Sequence, residues 1–220
     1  MPAQRSHTNY LAAQEAITRK LLSKNPTLIS IKDRRSVRLF TDQPVSKEDL
    51  NTVLSAANQA PSAHNQQAWR FVVLRGAAKN GLADLINTRS ADFPKPSSVL
   101  LRMASRSIVS APVVIAVANT GQLISHGTEL FKVEHGLAFD FFRIMEIQSS
   151  AAAVQNLLVA ATSLGLATVW LGVLVLVKDD VLRFLGEPQG EFMAVVPMGY
   201  AQNTGPGPGR QPLEEVVKYL

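Results

Sequence analysis

The chain of 220 residues contains no cysteine. It therefore has no disulfide framework, no thiolate nucleophile and no zinc-ribbon spacing, and this composition fits a reducing compartment, so we expect a cytoplasmic protein. Redox chemistry in such a chain requires a bound cofactor. The N-terminus also lacks the basic, apolar and small-residue regions of a signal peptide, which agrees with the cytoplasmic expectation.

Long apolar runs are also missing. The stretches at 151–161 and 164–177 are interrupted by polar residues and glycines, and neither reaches the roughly 18–20 uninterrupted apolar residues that a membrane span needs. Lysine and arginine form no block of five or more, although the formal net charge is +5. The sequence therefore predicts no membrane partner and no nucleic-acid partner, and its positive charge favours a small phosphorylated ligand.

Charged residues make up only 18% of the chain, against 46% hydrophobic residues. This balance is poorer in charge than that of an average soluble domain and favours an oligomer. The length suits one compact domain. Apolar runs of strand length alternate with helical periodicity, which indicates an α/β or α+β fold with a mixed sheet.

Periodicity and capping residues locate the elements. A helix is predicted at 10–22, and Thr27 and Ser46 are predicted to cap the next two helices. The later predictions are strands at 69–75, 111–118, 167–173 and 192–200, and helices at 80–87, 100–110, 139–161 and 178–185, the last closed by Gly186. The span 119–135 shows no clear period. The arm at 201–220 is rich in glycine and proline, and we expect it to lie on a partner subunit.

The motif RRSVR places three arginines within residues 34–38. The planar guanidinium group matches phosphate oxygens in a bidentate manner, and backbone N–H groups at a turn add further donors to the same anion. A plainer alternative is that these side chains are solvated or paired with Asp33, Asp42 and Glu48. The motif by itself leaves both readings open.

Four motifs, in chain order, carry a family resemblance. They are RRSVRLFTDQPV, APSAHNQQAWRFVV, AVQNLLVAATSLGLATVWLG, and VVPMGYA followed by GRQPLEEVV. Together they resemble the nitroreductase family of FMN enzymes over most of 28–217. The resemblance implies an α+β fold of three layers, α/β/α, around a mixed, mainly antiparallel sheet, in a homodimer. Residues 28–220 would form the FMN-binding domain and residues 1–27 an N-terminal helical extension.

The resemblance also assigns residues to the cofactor. Those implied to hold the FMN phosphate and ribityl chain are Arg34, Arg35, Ser36, Val37 and Arg38. Arg210, an isolated cation in the C-terminal arm, would close on the phosphate. A loop implied to reach the flavin from the partner chain contains Pro61, Ser62, Ala63 and Asn65. The motif WLG, which the resemblance places at the flavin edge, consists of Trp170, Leu171 and Gly172.

His64 stands within the same loop, where a small or flexible residue is common in the family. Beside a flavin it could donate a proton or contact the substrate, and it could equally be an ordinary loop histidine. The span 120–142 contains histidines and glutamates, but their spacing matches no ligand set, so no metal site is expected. The resemblance implies that this span forms a lid. Four phenylalanines are candidates for stacking on a planar substrate, and some of them could equally be core residues: Phe131, Phe139, Phe141 and Phe142.

The activity implied by the resemblance is a ping-pong oxidation of NADH or NADPH by FMN, followed by reduction of a small planar acceptor such as a nitroaromatic or a quinone. No nucleophile or acid–base pair stands out, so no catalytic residue is assigned and the expected site residues are flavin binders. Alternatives of the same fold are a flavin-dependent dehydrogenase or oxidase, a dehalogenating enzyme and a non-catalytic FMN-binding protein.

Overall fold

The computed structural model describes residues 17–18, 20–132, 134–205 and 207–220. The helices, in chain order, are α1 (Pro26–Asp33), α2 (Lys47–Asn58), α3 (Gly76–Arg89), α4 (Ser97–Ser110), α5 (Gln122–Phe131), α6 (His135–Ser163), α7 (Lys178–Leu185) and α8 (Leu213–Val216). The strands are β1 (Trp69–Leu74), β2 (Val113–Asn119), β3 (Ala167–Thr168) and β4 (Glu191–Gly199).

The strands form one sheet in the order β1-β2-β4-β3, and each neighbouring pair is antiparallel. Among the described residues, parallel pairing is confined to the bridge between Ser36 and Thr168. Strand β2 is buried along its whole length. Because successive side chains of a strand point to opposite faces, an apolar run such as β2 supplies a core on each side of the sheet.

Helices cover both faces of this sheet. Helices α3, α4 and α7 pack with Val114 and Ala116 of β2 in one hydrophobic cluster. Helices α2 and α6 pack with Val113 and Ile115 in a second cluster on the opposite face. The three-layer α/β/α arrangement around a mainly antiparallel sheet, expected from the sequence, is confirmed.

Several predicted boundaries are correct and others are not. Helix α2 begins after Ser46, whose side chain accepts a hydrogen bond from the Asp49 N–H. Helix α1 is capped by Asn25, which accepts from the Leu28 N–H at 3.0 Å, so the prediction that Thr27 caps this helix was wrong. The Asn25 side chain reaches the first turn because Pro26 fixes the first helical residue.

The strand predicted at 167–173 ends at Thr168 and is followed by a 3-10 turn at Gly172–Val177. The chain still runs beside β4 here, because the Leu171 N–H donates to the Val195 carbonyl at 2.9 Å. Burial of Leu174 and Val177 in the core favours the turn over a longer strand.

Helix α5 occupies the span for which the sequence showed no period. Most of the helix predicted at 10–22 lies outside the described residues, although positions 17–18 and 20–21 are helical. Within the described ranges, no helix combines the length and the apolar character needed to cross a membrane.

Candidate functional site

The segment 34–38, called the arginine segment below, runs extended from the end of α1 along the edge of the sheet. Arg34 ends the helix with φ −54° and ψ 128°. The Val37 N–H donates to the Thr168 carbonyl at 2.9 Å, and Ser36 forms the parallel bridge with the same residue. The amide of Val37 is therefore used by the fold, and the segment is anchored to β3.

A cleft of about 820 Å³ opens along the arginine segment. Its walls come from the arginine segment, from the end of α6 with β3, and from the C-terminal arm. The lining residues are Asp33, Arg34, Arg35, Ser36, Val37, Arg38, Leu39, Thr162, Gly165, Leu166, Ala167, Ala201, Asn203, Thr204, Gly205, Gly207, Pro208 and Arg210. The structure thus brings together the whole arginine segment and Arg210, which lie near opposite ends of the chain.

Positive charge is concentrated in this cleft, which is lined by four arginines and by one carboxylate, that of Asp33. Burial lowers the pKa of Arg34, and the charges of Arg210 and then Arg35 lower it further. The ion pairs among the described residues involve none of the four arginines of this cleft, and Asp33 pairs with Lys32 at 3.6 Å. The described residues therefore show no ion pair between the arginine segment and Asp33, Asp42 or Glu48, and the alternative of solvated side chains stays open. An anion in the cleft would relieve the repulsion.

The C-terminal arm lies directly against Arg35. A Cβ atom at Gly207 would come within 2.2 Å of the Arg35 Nε, so only glycine allows this approach without moving the arginine. The Arg35 guanidinium donates to the carbonyls of Lys32 at 2.6 Å and Arg34 at 2.9 Å. These hydrogen bonds hold the side chain in place against the arm. The arm and the arginine segment therefore form one wall of the cleft.

A phosphorylated cofactor fits this donor set. Four guanidinium groups line the cleft without carboxylate partners among the described residues. The Thr168 hydroxyl, which belongs to the residue that anchors the segment, is buried and has no hydrogen-bond partner among those residues. A buried unpaired hydroxyl costs about 1–3 kcal/mol, but Thr168 does not line the cleft, so the argument for a phosphorylated ligand depends on the arginines.

The loop residues that were predicted to reach the flavin lie away from the arginine cleft of their own chain. Pro61, Ser62, Ala63 and Asn65 do not line the arginine cleft. The loop instead rests on α6, where the Ala63 N–H donates to the Ser149 Oγ at 3.2 Å. Within one chain, the structure does not bring this loop and the arginine segment together.

The motif WLG follows two residues after Thr168. Leu171 is buried, and Trp170 packs against the cluster formed with α2 and α6. A Cβ at Gly172 would meet no atom closer than the Trp170 Nε1, at 3.8 Å. The three residues do not line the cleft in this chain, but Gly172 leaves backbone accessible beside the tryptophan ring.

Sequence reasoning missed the polar residues of the arm that line the cleft, Asn203 and Thr204, and Thr162 at the end of α6. The signal that could have found the first two is their place between the buried strand β4, which ends at Gly199, and the glycine-rich stretch. Nothing local to Thr162 distinguishes it from other helical residues, because its role depends on the packing of α6 behind β3.

The predicted lid is helix α5 together with the start of α6. Phe142 is fully buried and belongs to the core, whereas Phe131, Phe139 and Phe141 are exposed. In the part of the chain that the structure describes, no group of three or more His, Asp or Glu side chains is arranged to hold a metal ion.

The sequences of known proteins agree with these structural observations. A model of the nitroreductase family matches residues 31–200. Nitroreductase NfnB of Mycolicibacterium smegmatis is 28% identical over 193 residues, which cover 79% of this chain and 82% of that protein. An NADH dehydrogenase of Thermus thermophilus is 29% identical over 204 residues, which cover 84% of this chain and 91% of that protein.

A solved structure has a similar fold. The crystal structure of a nitroreductase with bound FMN from Desulfitobacterium hafniense matches with a TM-score of 0.67 and 26% identity, over 89% of this chain and 98% of that one. The family model, the relatives and the fold agree over most of the length. The chain therefore belongs to the nitroreductase family.

Proposed function

We propose that this protein reduces small planar acceptors, such as nitroaromatics or quinones, with electrons from NADH or NADPH. The chain is an NAD(P)H-dependent FMN oxidoreductase, as its family relatives indicate. The observation that carries the proposal is the gathering along one cleft of four arginines that form no ion pair with any described carboxylate. The relatives named as a nitroreductase and as an NADH dehydrogenase support the choice of acceptor and donor.

In this proposal the arginine cleft holds the phosphate and ribityl chain of FMN. The residues assigned to that part of the cofactor are Arg34, Arg35, Ser36, Val37, Arg38 and Arg210. Because the Val37 N–H is already bonded to Thr168, Val37 contributes its carbonyl and its packing rather than an amide donor. Trp170, Leu171 and Gly172 take the edge of the flavin ring.

The rest of the site comes from a second copy of the chain. Pro61, Ser62, Ala63 and Asn65 of one protomer would complete the cleft of its partner, since they do not reach their own. Two exposed apolar surfaces support a homodimer. One is the face of α6 that carries Leu137, Phe141 and Ile144. The other is the arm with Leu213, Val216 and Tyr219, where the tyrosine is 90% exposed.

When bound, FMN supplies the redox chemistry, accepting a hydride from a reduced nicotinamide and passing electrons to the acceptor. The protein contributes binding and exclusion of water. The arginines fix the phosphate, the arm covers Arg35, and the exposed rings of Phe131 and Phe139 offer apolar surface to a planar substrate. No side chain is assigned as a proton shuttle in the arginine cleft, because its titratable groups are arginines and Asp33.

The test is an anaerobic reaction of the FMN-loaded protein. Addition of NADPH, and separately NADH, should bleach the visible flavin absorbance, and subsequent addition of 1,4-naphthoquinone or nitrobenzene should restore it. Absorbance that neither nicotinamide bleaches would contradict the proposal and favour a dehydrogenase, an oxidase or a non-catalytic FMN-binding protein. Bleaching that only oxygen reverses would contradict the proposed acceptor class.

A further inference from the structure

The loop that carries His64 has an unusual backbone. His64, Asn65 and Gln67 have φ values of 53°, 52° and 49°, and they are three of the four non-glycine residues with positive φ among the described residues. The left-handed conformation costs about 1–2 kcal/mol for an ordinary side chain such as that of Gln67, and asparagine and histidine adopt it more readily than most residues. Strain concentrated in one exposed loop is typical of a functional site, because it persists only where surrounding contacts hold the loop in shape.

Hydrogen bonds hold this loop. The Ser62 Oγ accepts from the Gln67 N–H at 3.1 Å, and the Ser62 carbonyl accepts from the Asn65 N–H at 3.0 Å. The Gln67 side chain donates to the Asn65 Oδ1 at 3.2 Å. The Ala63 N–H is bonded to α6. The backbone of His64 is thereby fixed in position, and its side chain is left exposed.

The His64 ring meets two aromatic rings of α5. Its centroid lies 6.0 Å from that of His126, at 69° between the ring planes, and 5.7 Å from that of Phe131, at 87°. Both contacts are edge-on, a favourable arrangement for aromatic pairs. Phe131 in turn lies 5.6 Å from the buried Phe142. A continuous row of rings therefore leads from the loop surface into the core.

Helix α5 holds its two rings in a fixed place. A Cβ at Gly127 would come within 2.3 Å of the Phe142 ring, so α5 and α6 pack at the closest approach that a glycine allows. The Leu123 N–H at the start of α5 donates to the buried Glu146 at 2.8 Å. The arrangement of His64, His126 and Phe131 is thus set by contacts at the start and in the middle of α5.

Neither imidazole has a structural task that explains its polarity. In the ranges that the structure describes, no hydrogen bond or ion pair joins the side chain of His64 or His126 to another residue. A phenylalanine would make the same edge contacts at either position. An imidazole N–H beside apolar rings is suited to a planar ligand that carries oxygen atoms, since the rings contact its faces or edges and the N–H donates to an oxygen.

We propose that His64 donates a hydrogen bond to an oxygen atom of the acceptor and so selects nitro and quinone compounds over planar hydrocarbons. The inference rests on the proposed function, in which the His64 loop of one protomer completes the cleft of its partner. A site built to donate a hydrogen bond discriminates against an analogue that lacks the acceptor atom. His64 is therefore a specificity-determining residue, and His126 and Phe131 form the wall beside it.

The test measures binding to the oxidised, FMN-loaded protein without any nicotinamide, so that no turnover occurs. The dissociation constants of 1,4-naphthoquinone and of naphthalene, which has the same rings and no oxygen, are compared by calorimetry. We expect His64→Phe to raise the ratio of the quinone constant to the naphthalene constant about tenfold, as the loss of one hydrogen bond predicts. His64→Gln retains a donor and should keep the ratio within about threefold of that of the natural protein.

Two further variants keep the test decisive. His64→Gly removes the donor and relieves the left-handed backbone, so it should raise the same ratio even if the phenylalanine variant folds poorly. Arg106→Phe removes an exposed donor from α4, on the opposite face of the sheet from α6, and should leave the ratio unchanged. An unchanged ratio in both the phenylalanine and glycine variants of His64, or an equal rise in His64→Gln, would overturn the inference.

Failure of this inference and failure of the proposed function give different results. A protein that retains no FMN, or whose flavin neither nicotinamide reduces, contradicts the proposed function itself. A protein that passes both of those checks, and whose quinone selectivity does not depend on His64, contradicts only the assignment of the residue.

Discussion

Arg34 shows what single residues contribute to this site. Burial and the neighbouring charges of Arg210 and Arg35 lower its pKa, and no described carboxylate pairs with it. Repulsion among fixed cations destabilises the free protein and is relieved by an anion, so the groups that we propose to bind the phosphate weaken the ligand-free fold. Residues selected for stability alone would not be placed in this way.

This leads to a prediction for Arg210→Ala. At matched ionic strength, inorganic phosphate at ten times its dissociation constant should stabilise the natural protein by about 1.4 kcal/mol, or roughly 3–6 °C in Tm. The variant should lose most of that shift, and its Tm without phosphate should be equal or higher because one repulsive charge is gone. Thermal denaturation with phosphate and with chloride measures both.

A matched control is Arg70→Ala, which removes an exposed arginine that pairs with Glu187 at 3.4 Å, away from the cleft. It should retain the phosphate shift in full. A phosphate shift that survives in Arg210→Ala, or that disappears in Arg70→Ala, would show that the stabilisation arises outside the arginine cleft.

At the residue scale, sequence and structure agree in part. The pattern RRSVR and the isolated Arg210 predicted an anion site, and all of these residues line one cleft. The contact of Gly207 with Arg35 was not predictable, because nothing in a glycine- and proline-rich arm shows which surface it covers. The left-handed backbone of His64 was equally hidden, since it is imposed by hydrogen bonds within the loop.

At the scale of elements, helix α5 shows how distant contacts decide local structure. Its sequence carries no clear period, yet it is a helix because Gly127 packs on Phe142 and Glu146 of α6 accepts from the first turn. Helix α7, by contrast, carries its own signals and matches the prediction of 178–185, with Gly186 in the left-handed conformation at φ 77°. Local signals predict such self-contained elements, and they miss those held by side chains from elsewhere.

The buried cap of α5 gives a prediction about pH. Burial raises the pKa of the Glu146 carboxyl, and the backbone N–H groups of Leu123, Gly121 and Ile124 offset only part of this effect. Because the folded pKa is raised, the carboxyl stabilises the fold fully below its unfolded pKa, and this stability is lost as the pH rises through the folded pKa. The natural protein should therefore lose stability over that window.

Glu146→Gln should not show this loss. Denaturant unfolding from pH 4 to 8 should give similar stabilities for the two proteins at the acid end and an advantage for the glutamine variant that grows as the pH rises. Glu129→Gln changes an exposed carboxyl on α5, the helix that Glu146 contacts from α6, and serves as the control. Parallel stability curves for the natural protein and Glu146→Gln would contradict the assignment of the shift to Glu146.

At the scale of the whole molecule, the incomplete site and the apolar surface point to the same assembly. The arginine cleft lacks the loop residues Pro61–Asn65 within its own chain. Leu137, Phe141 and Ile144, at spacings of four and three on α6, form an exposed apolar face. A homodimer in which this face is buried would explain both features.

Ile144→Asp tests the assembly. A charge in a buried apolar interface is strongly unfavourable, so this variant should be monomeric by light scattering and should lose bound FMN on gel filtration. Leu100→Asp is the matched control, because Leu100 has a similar exposure, 47% against 51%, on α4 across the sheet. A natural protein that is monomeric and still retains FMN would contradict the dimer.

The measurement that tests the central claim most directly is a fluorescence titration of the cofactor-free protein with FMN. The account predicts one FMN per chain in the natural protein, and an increase of at least about tenfold in Kd for Arg34→Ala combined with Arg210→Ala, since two charge-assisted hydrogen bonds are lost. Equal affinity in the natural protein and the double variant would contradict the assignment of the arginine cleft as the FMN site.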